Sequence, residues 1–287
     1  MMTQKSPGRV PRLIHTRLGD FDLYLAPERD DPEVREALSR LPQALDQAER
    51  VSQGEDSVWR WTPGLKGQPD ALAVKSYRRQ SLFKDTWDRY RGSPALRAFR
   101  AARFLCERGI ATPEPLAVLE LWRPGLAKTA RLQQSYYLCV YENADSLREQ
   151  LRWIYTQDPD NQVMLELLEG VALAVADMHD AGFRHGDLGN QNILLPRKAD
   201  GSWDQPRFID LNRSRIKPQL SAHDRARDLA RLTLPGEYRR IFLDLYSRDR
   251  EPLRALVRAE ARARAGFRRH QLSRPWRHPL QSLNKLL

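Results

Sequence analysis

The stretch that decides the fold is Phe183-Arg184-His185-Gly186-Asp187-Leu188-Gly189-Asn190-Gln191-Asn192-Ile193-Leu194-Leu195. It places Asp187 and Asn192 five residues apart, between a long apolar-periodic segment that predicts a helix and a short apolar run that predicts a strand. Eighteen residues after Asn192, a second apolar run contains Asp210. The spacing therefore predicts three oxygen-bearing side chains at the ends of short strands.

Phosphoryl transfer requires this kind of set, because the protein mainly positions the reactants and neutralises phosphate charge. Asn192 and Asp210 carry the oxygen ligands that Mg²⁺ prefers. Lys75 ends an apolar strand in a chain with few lysines and is placed to contact phosphate oxygens, and Asp187 can accept a hydroxyl proton. Two simpler interpretations stay open: an Asx-rich loop with structural hydrogen bonds, and a solvated lysine at a strand end.

The order Lys75, then His-x-Asp-x-x-x-x-Asn over residues 185–192, then Asp210, resembles the protein-kinase-like superfamily. Within it, His185-Gly186-Asp187-Leu188 and residues 208–215 resemble the lipopolysaccharide kinase family. That family contains bacterial kinases that phosphorylate 3-deoxy-D-manno-octulosonic acid (Kdo) or heptose in the inner core of lipopolysaccharide. The resemblance extends over residues 55–235.

The resemblance implies a role for each matching residue. Asp187 is expected to be the catalytic base or orienting residue, and Asn192 and Asp210 are expected to bind Mg²⁺. Lys75 is expected to contact the phosphates of ATP. The hinge is expected near Glu142, which is counted with Lys75 as a cofactor-binding residue.

The predicted fold class is α+β, a two-lobed protein-kinase-like fold with a small β-rich N-lobe and a helical C-lobe. The N-lobe with an N-terminal extension is assigned to residues 1–142, the C-lobe to 143–250, and a basic helical tail, packed on the C-lobe or extending from it, to 251–287. Residues 57–61 and 71–77 predict a β-hairpin. Residues 1–28 are assigned to no element.

Two departures from protein kinases raise the alternative of a pseudokinase. No Gly-x-Gly-x-x-Gly loop precedes Lys75, and no glutamate lies between Glu55 and Glu107 to form the usual helix partner of that lysine. The expected substitutes are Glu107, Glu120, Asp85 and Asp88. His185 is expected to support the loop, and Asp228 is expected to be a scaffold residue.

The net charge of +11 is uneven along the chain. Residues 251–287 carry eight arginines and one lysine against two glutamates. Two interpretations of this tail stay open: a solvated, arginine-rich helix, and a helix that contacts an anionic membrane surface or a phosphorylated glycolipid. No nucleic acid partner is expected. The absence of an apolar secretory segment and the two isolated cysteines favour a cytoplasmic protein, placed peripherally on the inner membrane.

The function expected from the sequence is an ATP- and Mg²⁺-dependent kinase that phosphorylates a sugar hydroxyl of a lipid-anchored lipopolysaccharide core. The alternatives are a protein or small-molecule kinase of the same fold, and a pseudokinase that regulates lipopolysaccharide assembly. The missing Ala-Pro-Glu segment disfavours a peptide acceptor.

Overall fold

The computed structural model describes residues 13–53, 56–65, 71–77, 88, 90–124, 130–157, 161–248 and 252–272. The chain forms two compact units. The sheet unit comprises Met1–Asp145 and Leu194–Ser214, and the helical unit comprises Ser146–Ile193 and Arg215–Leu287. The expected boundaries at residues 142 and 250 stay predictions. The first part of the N-terminal extension, Asp85 and the end of the tail lie outside the described residues.

The larger sheet of the sheet unit has seven strands among the described residues, all paired antiparallel in the order β1-β2-β6-β7-β5-β4-β3. The predicted hairpin is confirmed, because β4 pairs with β5. The strands of the chain are β1 (Ile14–Leu18), β2 (Phe21–Leu25), β3 (Glu49–Gln53), β4 (Ser57–Trp61), β5 (Leu72–Ser76), β6 (Pro115–Pro124), β7 (Ala130–Val140), β8 (Asp145–Ser146), β9 (Phe183–Arg184), β10 (Ile193–Leu195), β11 (Arg207–Phe208) and β12 (Arg215–Ile216).

The helices are divided between the two units. Those of the sheet unit are α1 (Pro32–Ser39), α2 (Leu41–Ala44) and α3 (Pro94–Cys106). Those of the helical unit are α4 (Leu147–Gln157), α5 (Asn161–Asp180), α6 (Ala222–Leu229), α7 (Gly236–Ser247) and α8 (Leu253–Leu272). Strands followed by helices confirm the predicted α+β class.

The two faces of the seven-stranded sheet carry different cores. Val34 and Leu38 of α1 pack with Val74 on one face, whereas Phe99 of α3 packs in a separate cluster with Tyr77. Because side chains alternate along a strand, Lys75 lies on the face opposite Val74, the face that α3 covers. The strand period therefore directs Lys75 away from the apolar cluster of α1.

A capping box formed by Ser146 and Glu149 starts α4. The backbone N–H of Ser146 donates to the Glu149 carboxylate at 2.7 Å, and the N–H of Glu149 donates to Ser146 Oγ at 3.4 Å. The apolar face predicted for α5 is only partly correct, because Leu165 and Leu173 are 41% and 36% exposed.

Gly182, which ends α5, is required by a close backbone approach. Its φ is +79°, and a Cβ at this position would lie 2.1 Å from the carbonyl oxygen of Lys217. The Gly182 carbonyl in turn accepts the Lys217 N–H at 2.9 Å. This contact starts the antiparallel pair β9–β12, which leads directly into the loop that contains Asp187.

The described part of the basic tail is a helix packed on the helical unit. Leu256 is 0% exposed and Glu260 is 3% exposed in α8, which contacts α6 and α7. Glu260 accepts a hydrogen bond from Arg264 Nε at 2.6 Å, and Arg264 Nη2 donates to the carbonyl of Leu232 at 3.1 Å. None of the described helices is both long and apolar enough to cross a membrane.

We expect Leu256→Ala to lower the free energy of unfolding by about 2–4 kcal/mol, because it removes a fully buried side chain. The matched control is Val257→Ala, at the neighbouring position that is 37% exposed, with an expected loss under about 1 kcal/mol. Urea unfolding followed by circular dichroism measures both. Equal losses would contradict the packing of α8 on the helical unit.

Candidate active site

The loop of residues 185–190 is bonded to the last turn of α6 and to the residues that follow it. The Asp228 carboxylate accepts the backbone N–H groups of His185 at 2.6 Å and of Gly186 at 2.9 Å. Gly186 has φ +81°, a conformation that a side chain would disfavour. The predicted scaffold contact of Asp228 is confirmed.

Asp228 is a buried charge with its own partners. It is 1% exposed, and His179 Nε2 lies 3.4 Å from its carboxylate while His179 Nδ1 contacts Tyr246 Oη at 2.8 Å. Burial alone raises the pKa of Asp228, but the hydrogen bond and charge of His179, the charge of His185 and the Gly186 N–H outweigh it. The pKa of Asp228 is therefore held below its ordinary value, and the carboxylate is ionised at neutral pH.

The same segment contacts the loop at two further points. Arg231 Nη1 donates to Asp187 Oδ1 at 2.6 Å. The side-chain amide of Asn190 donates to the Thr233 carbonyl at 2.8 Å and accepts the Thr233 N–H at 3.0 Å. We call Asp228–Thr233 the clamp segment, since its residues bind both backbone and side chains of the loop.

Asp187 and Asn192 are brought together inside the helical unit. Asn192 Nδ2 donates to the backbone carbonyl of Asp187 at 2.8 Å, and the Asp187 N–H donates to His185 Nδ1 at 3.3 Å. His185 is fully buried and supports the loop, as the sequence predicts. The Asp187 side chain is 23% exposed, so its carboxylate remains accessible to a ligand.

Lys75 and Asp210 are brought together inside the sheet unit. Lys75 Nζ lies 2.5 Å from Asp210 Oδ1 and 3.6 Å from the Asp56 carboxylate. It also lies 5.0 Å from the centre of the Tyr77 ring. Asp210 has φ +61°, and it alone among the described non-glycine residues has a positive φ. Such conformations concentrate at functional sites.

Asp56 pairs with Lys75, as the missing glutamate was expected to do, and the sequence prediction did not include it. Of the four predicted substitutes, Glu107 is exposed after α3, and Asp85 lies outside the described residues. Asp88 binds Arg97 at 2.6 Å, and Glu120 accepts from Trp122 Nε1 at 2.7 Å. The expectation that one of the described three pairs with Lys75 was wrong.

Arg97 of α3 is bonded to the turn after Asp210. Its Nε donates to the carbonyl of Asn212 at 3.2 Å, while its Nη1 donates to Asp88 and to the carbonyl of Gly92 at 2.7 Å. In protein kinases a helix glutamate connects the helix to the lysine. Here an arginine of α3 binds the backbone next to Asp210.

Glu142 is paired with an arginine. Its carboxylate accepts a hydrogen bond from Arg207, and its side chain is 14% exposed. The role of Glu142 in binding a nucleotide stays a prediction.

The available donor atoms fit Mg²⁺. The Asn192 amide uses Nδ2 on the Asp187 carbonyl, which leaves its Oδ1 as a ligand, and Asp210 supplies a carboxylate. No group of three or more His, Cys, Asp or Glu side chains suited to a metal occurs among the described residues. Mg²⁺ in phosphoryl-transfer enzymes is commonly bound by one or two protein ligands together with substrate phosphates. The role of Asn192 and Asp210 as its ligands stays a prediction.

Comparison with known proteins identifies the family of this chain. The family model described as the lipopolysaccharide kinase (Kdo/WaaP) family matches residues 66–245, more than half of the chain. The chain belongs to this family. It is a kinase.

Similar curated proteins are the two 3-deoxy-D-manno-octulosonic acid kinases of Vibrio vulnificus strains YJ016 and CMCP6. They are 28% and 26% identical to this kinase over 181 residues, which cover 53% of its chain and 70% of theirs. A solved structure titled "WaaP in complex with acyl carrier protein" matches with a TM-score of 0.58 and 24% identity over 86% of this chain and 97% of that chain. This likeness confirms the predicted kinase-like fold.

Three residues that contact the predicted site residues or their neighbours were missed from the sequence: Asp56 and Arg97 in the sheet unit and Arg231 in the helical unit. Each contacts its partner across a long sequence separation, and the two arginines are among many in the chain. The only signal in reach was the short spacing between Asp228 and Arg231, which places the arginine one turn after the scaffold aspartate.

We expect Asp228→Asn to lower the free energy of unfolding by about 2–4 kcal/mol at pH 7, because the amide cannot accept both N–H groups and loses the buried charge. The folded-state pKa of Asp228 is depressed, so its stabilisation is complete above the ordinary aspartate range and is lost as pH falls through the folded pKa. The difference between variant and wild type therefore shrinks in acid.

Urea unfolding at pH 7 and at pH 3 measures this difference. Asp244→Asn, on the exposed face of α7, is the matched control and leaves stability nearly unchanged at both pH values. A loss that is the same at pH 7 and pH 3 would rule out the ionised carboxylate as its cause.

Proposed function

We propose that this kinase transfers the γ-phosphoryl group of ATP to a hydroxyl of Kdo in a lipid-anchored lipopolysaccharide inner core. The observation that carries the proposal is Asp187, partly exposed and fixed by the clamp segment and by Asn192. Membership of the family supports lipopolysaccharide as the acceptor, and the Vibrio relatives, named for Kdo, favour that sugar over heptose.

In the proposed reaction the acceptor hydroxyl oxygen forms a bond to the γ-phosphorus while the bond to the β,γ-bridging oxygen breaks, and ADP leaves. Asp187 orients the hydroxyl and accepts its proton. Lys75 binds phosphate oxygens, since its ammonium group has three N–H donors and only two carboxylate partners, Asp56 and Asp210. Asn192 and Asp210 are the proposed ligands of Mg²⁺, which neutralises phosphate charge when bound.

The test incubates the purified protein with ATP, Mg²⁺ and lipid A bearing Kdo, and repeats the reaction with an acceptor in which heptose is the terminal sugar. We expect ADP formation and a phosphorylated Kdo, detected by mass spectrometry. Asp187→Asn should lower turnover by about 10²–10⁴-fold, as removal of a general base does, while nucleotide binding is retained.

Asp244→Asn is the control and should keep full turnover. Phosphate on heptose alone would assign the activity to the other sugar of the family. Wild-type protein that binds nucleotide but turns over neither acceptor would favour the pseudokinase alternative.

We propose further that the kinase works on an anionic membrane surface. A groove of about 480 Å³ between α7 and α8 is lined by four arginines, by Glu260, whose carboxylate is bound to Arg264, and by small or apolar residues. The arginines are Arg239, Arg240, Arg254 and Arg258, and the other residues are Gly236, Leu243, Leu253, Val257 and Ala261. Arginines beside apolar surface suit an anionic headgroup with its adjoining acyl region.

We expect Arg254→Gln with Arg258→Gln to weaken binding to phosphatidylglycerol vesicles by about 30-fold at low salt, since each arginine near such a surface contributes about 1 kcal/mol. Screening reduces the difference at high salt. Arg215→Gln with Arg227→Gln, two exposed arginines of the helical unit outside the groove, is the matched control for the same loss of charge. Equal weakening by both pairs would show that net charge alone, and not the groove, is responsible.

A further inference from the structure

Arg231 joins the proposed catalytic aspartate to the C-terminal helix. Its Nη1 donates to Asp187 Oδ1 at 2.6 Å, and the two side chains are 27% and 23% exposed. An ion pair of this exposure is accessible to a bound substrate from the solvent side. The pair therefore belongs to the surface that an acceptor contacts when it approaches Asp187.

Helix α8 positions Arg231 from the other side. The guanidinium carbon of Arg231 lies 4.9 Å from the centre of the Phe267 ring, within the range of a cation–π interaction. One residue further along the clamp segment, the Leu232 carbonyl accepts a hydrogen bond from Arg264, which is itself bound to the buried Glu260. Two residues of α8 thus fix the turn that presents Arg231.

The guanidinium has donors to spare. Arginine carries five N–H groups in one plane, in a geometry that matches a carboxylate with two parallel hydrogen bonds. The contact with Asp187 uses Nη1, and within the described part of the chain Nε and Nη2 of Arg231 make no hydrogen bond. These donors are available to a ligand while the bond to Asp187 is kept.

The proposed acceptor creates a charge problem that such a group solves. Kdo is a carboxylic acid and is ionised at neutral pH, so it brings a negative charge to a site that already contains the Asp187 carboxylate and receives the phosphates of ATP. Negative charges that share one site repel each other unless a cation lies between them. Arg231, already bonded to Asp187, is placed to be that cation.

We infer that Arg231 binds the carboxylate of the acceptor sugar and bridges it to Asp187, and that α8 is thereby part of the acceptor site. The inference rests on the proposed function, because it names how that acceptor is recognised. Arg231 is then a specificity-determining residue that selects an acidic sugar over a neutral one. Heptose, which lacks the carboxylate, gains nothing from it.

The test measures steady-state kinetics with two acceptors: lipid A bearing Kdo, and the same lipid with the Kdo carboxylate converted to its methyl ester. We expect Arg231→Gln to raise KM for the acidic acceptor by about 10- to 100-fold, the range for a lost hydrogen bond to a charged group, with KM for ATP unchanged. For wild type we expect KM to be higher for the ester than for the acidic acceptor by a similar factor. On the ester, KM for Arg231→Gln should be no higher than KM for wild type. On the acidic acceptor, KM for Arg231→Lys should lie between the values for wild type and Arg231→Gln.

Arg227→Gln, an exposed arginine four residues earlier, is the matched control and should behave as wild type on both acceptors. A fall in kcat that is equal on acid and ester, with KM unchanged, would overturn the inference and leave Arg231 as a residue that only positions Asp187. Unchanged kinetics would overturn it as well. If wild type phosphorylates neither acceptor, the proposed function itself fails, which is a separate and recognisable result.

The contribution of α8 is tested by Phe267→Leu, which keeps an apolar side chain but removes the ring face under Arg231. We expect a rise in KM of about 2- to 5-fold for the acidic acceptor, as for an exposed cation–π contact, and no change for the ester. An equal change on both acceptors would separate α8 from recognition of the carboxylate. Circular dichroism confirms that the variant is folded.

Discussion

The loop of residues 185–190 in the helical unit depends on one buried carboxylate. Asp228 accepts two backbone N–H groups of the loop and is itself contacted by His179, so a single ionised side chain connects the end of α5, the loop and the end of α6. A buried charge is expensive unless its partners satisfy it, and here several do. With this carboxylate in place, the backbone at Gly186 is fixed, and Asp187 follows at a defined position.

The sheet unit has a corresponding arrangement around Lys75. In most protein kinases the lysine is balanced by a glutamate of the neighbouring helix. This chain uses Asp56, next to β4, for the lysine and Arg97, in α3, for the turn after Asp210. The charges are therefore placed differently from those of most protein kinases: α3 supplies a cation, Arg97, and the residue before β4 supplies the acid, Asp56. The helix thus contacts the backbone beside Asp210 directly, and a glutamate in α3 is not needed for that contact.

The sequence predicted the parts whose signals are local. Hydrophobic periodicity identified the hairpin β4–β5 and the helix α5, and motif spacing identified Lys75, Asp187, Asn192 and Asp210 as candidate site residues. It could not place β1 and β2, because two short strands with polar and proline-rich surroundings carry little period. Nor could it choose Arg231 among so many arginines, since its contact with Asp187 depends on the path of the chain after α6. The sequence also could not decide whether α8 packs on the other helices, because Leu256 and Glu260 alone form its buried face among the described residues and one of them is charged.

The residue at position 210 has to meet two independent structural requirements, one of its backbone and one of its side chain. Its backbone is left-handed, a conformation that aspartate and asparagine tolerate better than residues with longer side chains. Its side chain must be an acid to balance Lys75 at 2.5 Å. Asparagine meets the first demand and fails the second, whereas glutamate meets the second and fails the first. Fewer residues are therefore accepted at this position than the charge or the backbone alone would allow. Of the three residues compared, aspartate alone meets both requirements.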